Sequence, residues 1–196
     1  MRPLVTIAAV LIALVLGAPS AHAETDSASG TFQMTTAPGI LPAWEADDIA
    51  IIGIYPGSVT TRRYASNASI MLPIVAQVRT AHATAGGFRI VNTTAGASVH
   101  CLIPAIDTRA RVIDCLTRSG YNSTLFTIDD IATRDSLKTI ALRTTVYTGM
   151  DIRLTRVGAQ ILNRELSSTA FSSSVRVATG ELIVTTPTQQ IERPSP

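Results

Sequence analysis

The sequence predicts an all-β fold: an antiparallel β-sandwich or partly closed barrel with one or two short helices and one disulfide. Three observations predict it. About ten short apolar or alternating runs recur along the chain, separated by Gly, Pro, Asn and Ser, at the spacing of sandwiches and barrels. Thr and Ser make up about a fifth of the residues while aromatic residues are 5%, a composition that suits strands wetted on one face. With 46% hydrophobic residues, the chain can bury a core and does not read as disordered.

Taken in order, residues 1–23 read as a secretory signal peptide: Arg2 gives a basic start, residues 4–16 an apolar run, and Ala21-His22-Ala23 a small-x-small cleavage site. Cleavage between Ala23 and Glu24 is expected. The apolar run falls short of the roughly 20 residues that cross a bilayer, so it is not read as a membrane anchor. A polar segment follows at 24–30, and one β domain is expected over 31–186, with a flexible polar tail at 187–196. No lipid-accepting cysteine, apolar C-terminal tail or transmembrane segment is read in the mature chain. A secreted or cell-envelope location is therefore expected.

The expected strands are 31–36, 49–55, 69–76, 87–93, 97–106, 110–117, 125–130, 139–147, 150–155 and 174–186. Residues 155–166 place Val157, Ile161, Leu162 and Leu166 at helical spacing behind Thr155, a residue suited to capping. Residues 38–46 hold the only tryptophan, Trp44, in a Pro-interrupted stretch that could make one helical turn, with Trp44 plugging one end of the core.

Cys101 and Cys115 are the only cysteines, and in an oxidising compartment such a pair is most simply a disulfide. With Thr108 at the centre of the turn between two strand-like runs, the two lie directly opposite each other. There is no C-x-x-C to suggest a redox pair.

Lys and Arg total 16 against 14 acidic residues, and all but Lys138 are Arg. That balance, with no run of like charge, argues against nucleic acid as the main partner. No G-x-S-x-G elbow is present, and only His82 and His100 remain for general-base work once His22 leaves with the leader. The acidic doublets Asp47-Asp48 and Asp129-Asp130 would point their carboxylates to opposite faces of a strand, so neither forms a catalytic pair alone. No catalytic residue, metal site or calcium loop is assigned. Asn67, Asn92 and Asn122 sit in N-x-Ser/Thr and read as glycan acceptors in a eukaryotic secretory pathway, or as turn residues in a bacterium.

The order "GIYP", a strand with central Pro73, "AGGFRIVNTTAGASV", "IPAIDTRARVIDC", "LFTIDD", "GAQILN" and "STAFSSSVRVATGELIVTT" resembles a group of secreted, mainly actinobacterial β-proteins, themselves similar to the haem-transport-associated domain. The similarity covers about residues 30–186. It implies an antiparallel β fold with short helices and, in the haem-carrying members, a tyrosine ligand to iron supported by histidine. The segment that carries that tyrosine in those members is "SASGTFQM" here, with Phe32 and no tyrosine, so no ligand transfers residue by residue. The remaining candidates are Tyr55, Tyr64, Tyr121, Tyr147, His82 and His100. Alternation turns His100 to the opposite face from Cys101, and His82 reads as part of an Ala- and Thr-rich loop.

The expectation is a non-enzymatic secreted binding or cell-envelope module of unknown ligand, with no cofactor assigned. A haem or small hydrophobic ligand carrier is the alternative. A hydrolase with a dispersed site is a more distant one.

Overall fold

The structure, a computed structural model, describes residues 27–62, 66–117, 122–139, 141–173 and 175–188. The expected leader, its Ala23-Glu24 cleavage site and residues 189–196 of the tail lie outside the described residues. In chain order the elements are β1 (Ser29–Thr36), α1 (Ile40–Ala46), β2 (Ile49–Ile54), β3 (Ser58–Arg62), β4 (Asn67–Val78), β5 (Ala81–Thr84), β6 (Gly87–Asn92) and β7 (Ala97–Asp107). They continue as β8 (Val112–Leu116), β9 (Asn122–Ile128), β10 (Ala132–Lys138), β11 (Leu142–Leu154), α2 (Arg156–Glu165) and β12 (Arg176–Pro187).

All twelve strands join one antiparallel sheet, and pairing between β7 and β8 closes eight of them into a barrel in the order β7-β5-β4-β1-β12-β11-β9-β8. Of the two architectures the sequence allows, the barrel forms, and its ring is complete. Closure removes the unpaired edges that an open sheet would present. Outside the ring, β6 and β2 extend the sheet from β7, β3 lies along β4, and β10 lies along β11.

Alternation fills the interior. Phe32, Ile70, Leu72, Ile106, Ile113, Phe126, Ile128, Met150, Ile152, Leu154 and Leu182 are all within 2% of fully buried. Their burial is the main force holding the ring together. The two helices cap the end where β1 and β11 finish and β12 begins. Trp44 of α1 packs on Phe171 with ring centroids 5.2 Å apart, and both are buried, so Trp44 plugs that end as expected. Helix α2 starts where predicted: the Thr155 hydroxyl accepts from the Gly158 amide at 2.7 Å and donates to the Thr124 carbonyl at 2.7 Å. Leu162 and Leu166 are fully buried.

Several strands depart from the sequence reading. β3, β5 and β10 were not expected, and the runs 139–147 and 150–155 form a single strand, β11. Gly149, at φ 68°, sits in the irregularity between Tyr147 and Met150 that keeps β11 paired along its length. Asp129 and Asp130 fall after β9, not within it. β1 begins at Ser29, inside the segment read as a polar start, and β12 reaches Pro187.

The cysteines are joined, with Cα atoms 4.7 Å apart and both side chains buried. They are diagonal rather than directly opposite: β7 and β8 pair Asp107 with Val112 and Leu102 with Leu116, which centres the turn beyond Thr108. An irregularity between Leu102 and Ala105, where Ile103 takes φ 44°, shifts the register.

Candidate functional site

The end of the barrel opposite the helices is built differently. There β4 ends, β5 begins, β12 ends and β11 begins, and the inward positions change from aliphatic to polar. Cross-strand partners share a face, so the register identifies the wall: His82 pairs with Gln77 on β4 and Ile106 on β7, while Thr145 pairs with Val184 and Arg143 with Thr186. Tyr147 pairs with Leu182 on β12 and Thr133 on β10. Gln77, His82, Thr133, Arg143, Thr145, Tyr147, Val184 and Thr186 together line a cavity of about 180 Å³. Barrel mouths are a recurrent place for ligands.

His82 forms the floor. Its residue is 1% exposed, and neither Nδ1 nor Nε2 has a hydrogen-bond partner among the described residues. An unpaired buried polar group of this kind costs about 1–3 kcal/mol. Its ring lies 5.8 Å from that of Tyr147, tilted by 54°. Burial pushes the imidazole below its usual pKa, opposed in part by the Asp107 carboxylate. Burial also acts to raise Asp107, but the Ala110 N–H, the Thr80 hydroxyl and the Arg109 N–H, with His82 adding to them, outweigh it and hold the carboxyl below its usual range. Those donors lie at 2.8, 3.0 and 2.9 Å. The wall is partly fixed in its own right, since Gln77 Nε2 donates to the Arg79 carbonyl at 2.7 Å.

Two of the sequence candidates thus meet, His82 and Tyr147. His82 lies on strand β5, not in a loop. Tyr55 is 92% exposed in the turn after β2, away from the mouth. His100 sits on β7 facing away from the buried Cys101, with Nε2 3.3 Å from Ser98 Oγ. Tyr64 and Tyr121 lie outside the described residues. Gln77, Thr133, Arg143, Thr145 and Thr186 were not singled out in the sequence. The signal was alternation in "LRTTVY" and "VTT", where polar residues occupy the inward positions.

The remaining motifs have structural roles. Asp48 accepts from the Thr93 amide and from the Thr93 and Thr94 hydroxyls, pinning the β6–β7 turn to the end of α1. Asp129 pairs with Arg153, and Asp151 with Arg176 at 3.0 Å. Asn92 is 8% exposed; its Nδ2 donates to the Leu166 carbonyl at 3.0 Å while its Oδ1 accepts from the Thr94 and Ala95 amides. It is a turn residue tied to α2, whereas Asn122 is exposed. Among the described residues no group of three or more His, Cys, Asp or Glu could hold a metal ion. No helix among them is long and apolar enough to cross a membrane.

Among the described residues there are also an open polar hollow of about 570 Å³ around Asp47, Asp48, Asn163 and Ser168, and an apolar crevice of about 240 Å³ beside Trp44 and Phe171. The polar side chains of the first are largely used within the fold: Asn163 donates to and accepts from the backbone of Phe171, and Ser168 accepts from the Ala170 amide. Ser98 and His100 line none of these three cavities.

No family model and no curated protein matches the chain. Among solved structures, the heme binding protein HtaB from Corynebacterium glutamicum is similar, with 11% identity and a TM-score of 0.47 over 84% of this chain and 97% of that one. That likeness is weak. No ligand or residue role carries over at that degree of likeness. The fit of a haem rests on the mouth itself. Tyr147 and His82 are residue types that serve such a group, but 180 Å³ lies below the ~300–1,000 Å³ of pockets that bury drug-sized ligands. A tetrapyrrole does not fit the mouth as it stands.

Proposed function

We propose that this protein is a non-enzymatic binding module, exported from the cytoplasm, that holds a small polar ligand in the barrel mouth. One observation carries the reading: a buried imidazole, unpartnered at both nitrogens, forms the floor of a polar cavity in a largely apolar barrel. A folded chain that keeps such a group at a cost to stability gains from it when a ligand supplies the missing hydrogen bonds. The disulfide suits an oxidising compartment. The domain that performs this is the barrel from β1 to β12, Ser29 to Pro187, in an exported chain that begins at Glu24.

The test is a fragment screen by NMR on the ¹⁵N-labelled mature protein. Small polar fragments are expected to shift amides at Gln77, His82, Thr145 and Thr186, and to lose that effect in His82→Phe. Shifts that are absent, or scattered elsewhere, overturn the reading. For export, sequencing of material secreted by an actinobacterial host should begin at Glu24; retention of residues 1–23 overturns that part.

The juxtaposition of Tyr147 with His82 favours haem as a second reading, against the small volume of the mouth. Haemin titration separates the two. A Soret shift abolished by Tyr147→Phe would replace the small-ligand reading with the carrier one, and no shift would end the haem idea.

A further inference from the structure

We propose that the apolar crevice at the helical pole is a second binding site, and that it takes a small organic cation: an apolar body against Trp44 and Phe171, with its ammonium group at Asp47. The inference does not depend on the mouth, which lies at the other end of the barrel. Helix α1 lies across the barrel end and the segment before β12 returns beside it, so Ile40, Trp44, Leu154, Phe171, Val175 and Val177 border one hollow of about 240 Å³. Trp44, Leu154, Phe171 and Val177 are buried, so the hollow reaches the core, while Val175 is exposed. Apolar walls with one or two placed polar groups are the usual make-up of a small-molecule site. The volume of about 240 Å³ matches about eight waters at their share of liquid volume, ~30 Å³ each, which sets the ligand at roughly eight heavy atoms.

Charge selects the cation. Asp47 is the one ionisable side chain among the described residues that line the crevice. Its carboxylate makes no hydrogen bond or ion pair among the described residues, whereas Asp48 accepts from the Thr94 hydroxyl at 2.6 Å. The two segments that border the crevice, 37–48 and 170–175, carry Glu45, Asp47 and Asp48 and no basic residue. Arg153 and Arg176, next in sequence to Leu154 and Val177, are paired with Asp129 and Asp151. Asp47 also lines the open polar hollow together with Asp48, so a charged group at Asp47 stands between the crevice and water and keeps part of its hydration. An ammonium there gains from the carboxylate and from the aromatic rings of the wall. A neutral body of the same shape gains burial alone, and an anion meets two carboxylates.

The test reads the indole N–H of Trp44, the only tryptophan, and the backbone amides of the ¹⁵N-labelled mature protein at pH 7. The probes are benzylamine hydrochloride, benzyl alcohol and sodium benzoate. Benzylamine is expected to shift the Trp44 indole and the amides of Ala43, Asp47, Phe171 and Val175 to saturation. The alcohol should bind about tenfold more weakly, the combined scale of an exposed ion pair and a cation–π contact, and benzoate should not bind. Asp47→Asn keeps the backbone N–H that donates to the Trp44 carbonyl at 3.0 Å and removes no side-chain bond, so its melting curve should match the parent. It is expected to bring benzylamine down to about the affinity of the alcohol. In the parent protein, salt at about 0.5 M should weaken benzylamine and leave the alcohol unchanged. Alcohol binding as tightly as benzylamine, or benzylamine binding indifferent to both Asp47→Asn and salt, overturns the cation assignment. No saturable shift with any probe overturns the site itself, as does benzylamine binding that His82→Phe abolishes. Neither result bears on whether the mouth takes a ligand of its own.

Discussion

His82 and Tyr147 face each other across the barrel mouth, with ring centroids 5.8 Å apart and both imidazole nitrogens of His82 unpaired. That relationship sets a stability cost against a recognition gain. His82→Phe removes the unpaired nitrogens and keeps an aromatic ring against Tyr147, so it should stabilise the barrel by about 1 kcal/mol. Denaturant unfolding at neutral pH measures this; a loss of stability would show that His82 is satisfied in solution by groups the fold itself supplies.

The same residue makes stability pH-dependent. The folded-state pKa of His82 is lowered from 6.5, so below that value the unfolded chain takes up a proton that the folded chain does not. Stability should be fully present above about pH 6.5 and decline as pH falls from there toward the folded value. Asp107, lowered from 3.8, adds a separate loss at more acidic pH, as its carboxylate is protonated. Melting temperatures between pH 8 and 5 should fall for the parent protein and stay flatter for His82→Phe. Equal slopes would discount His82 as the titrating group.

The Cys101–Cys115 bond fastens β7 to β8 along the seam that completes the ring. Closing a loop of this length stabilises a fold by about 3 kcal/mol in the chain-entropy model. The double variant Cys101→Ala/Cys115→Ala should lose about that much in urea unfolding, with added cavity cost because both sulfurs are buried. Ligand binding at the mouth should persist in whatever fraction remains folded.

Gly158 lets α2 lie directly on β9. A Cβ there would stand 2.3 Å from the Leu125 carbonyl oxygen, a backbone atom that cannot swing aside. Gly158→Ala should therefore destabilise the protein by roughly 2 kcal/mol, despite the better helix propensity of alanine. A gain in melting temperature would mean that α2 can shift outward freely.

How far the sequence disclosed this fold varies with the element. α2 was readable because Thr155 and the spacing of Leu162 and Leu166 belong to helices and to little else. The disulfide followed from there being two cysteines. β5 was not readable, since Ala81, His82, Ala83 and Thr84 carry neither the bulk nor the branching that marks a strand. Its identity comes from the partners on either side, β4 and β7. Alternation is common to sandwiches and barrels, so ring closure had no local sequence mark; it depends on where β7 and β8 meet. The site was half visible for the same reason. His82 and Tyr147 could be named as chemistry-bearing residues, but 65 positions separate them, and only closure brings their rings together.

The barrel also fixes where the chain enters and leaves. Ser29 at the start of β1 pairs with Thr185 of β12, and the next residue, Thr186, is itself part of the mouth. Both ends of the β domain therefore emerge beside the opening through which a ligand must pass. A purification tag or fusion partner joined at either end would be delivered to that doorway and would compete for it or shade it. Attachment to a sensor surface is better made at the helical pole, where Val157 on α2 is 57% exposed and far from the mouth.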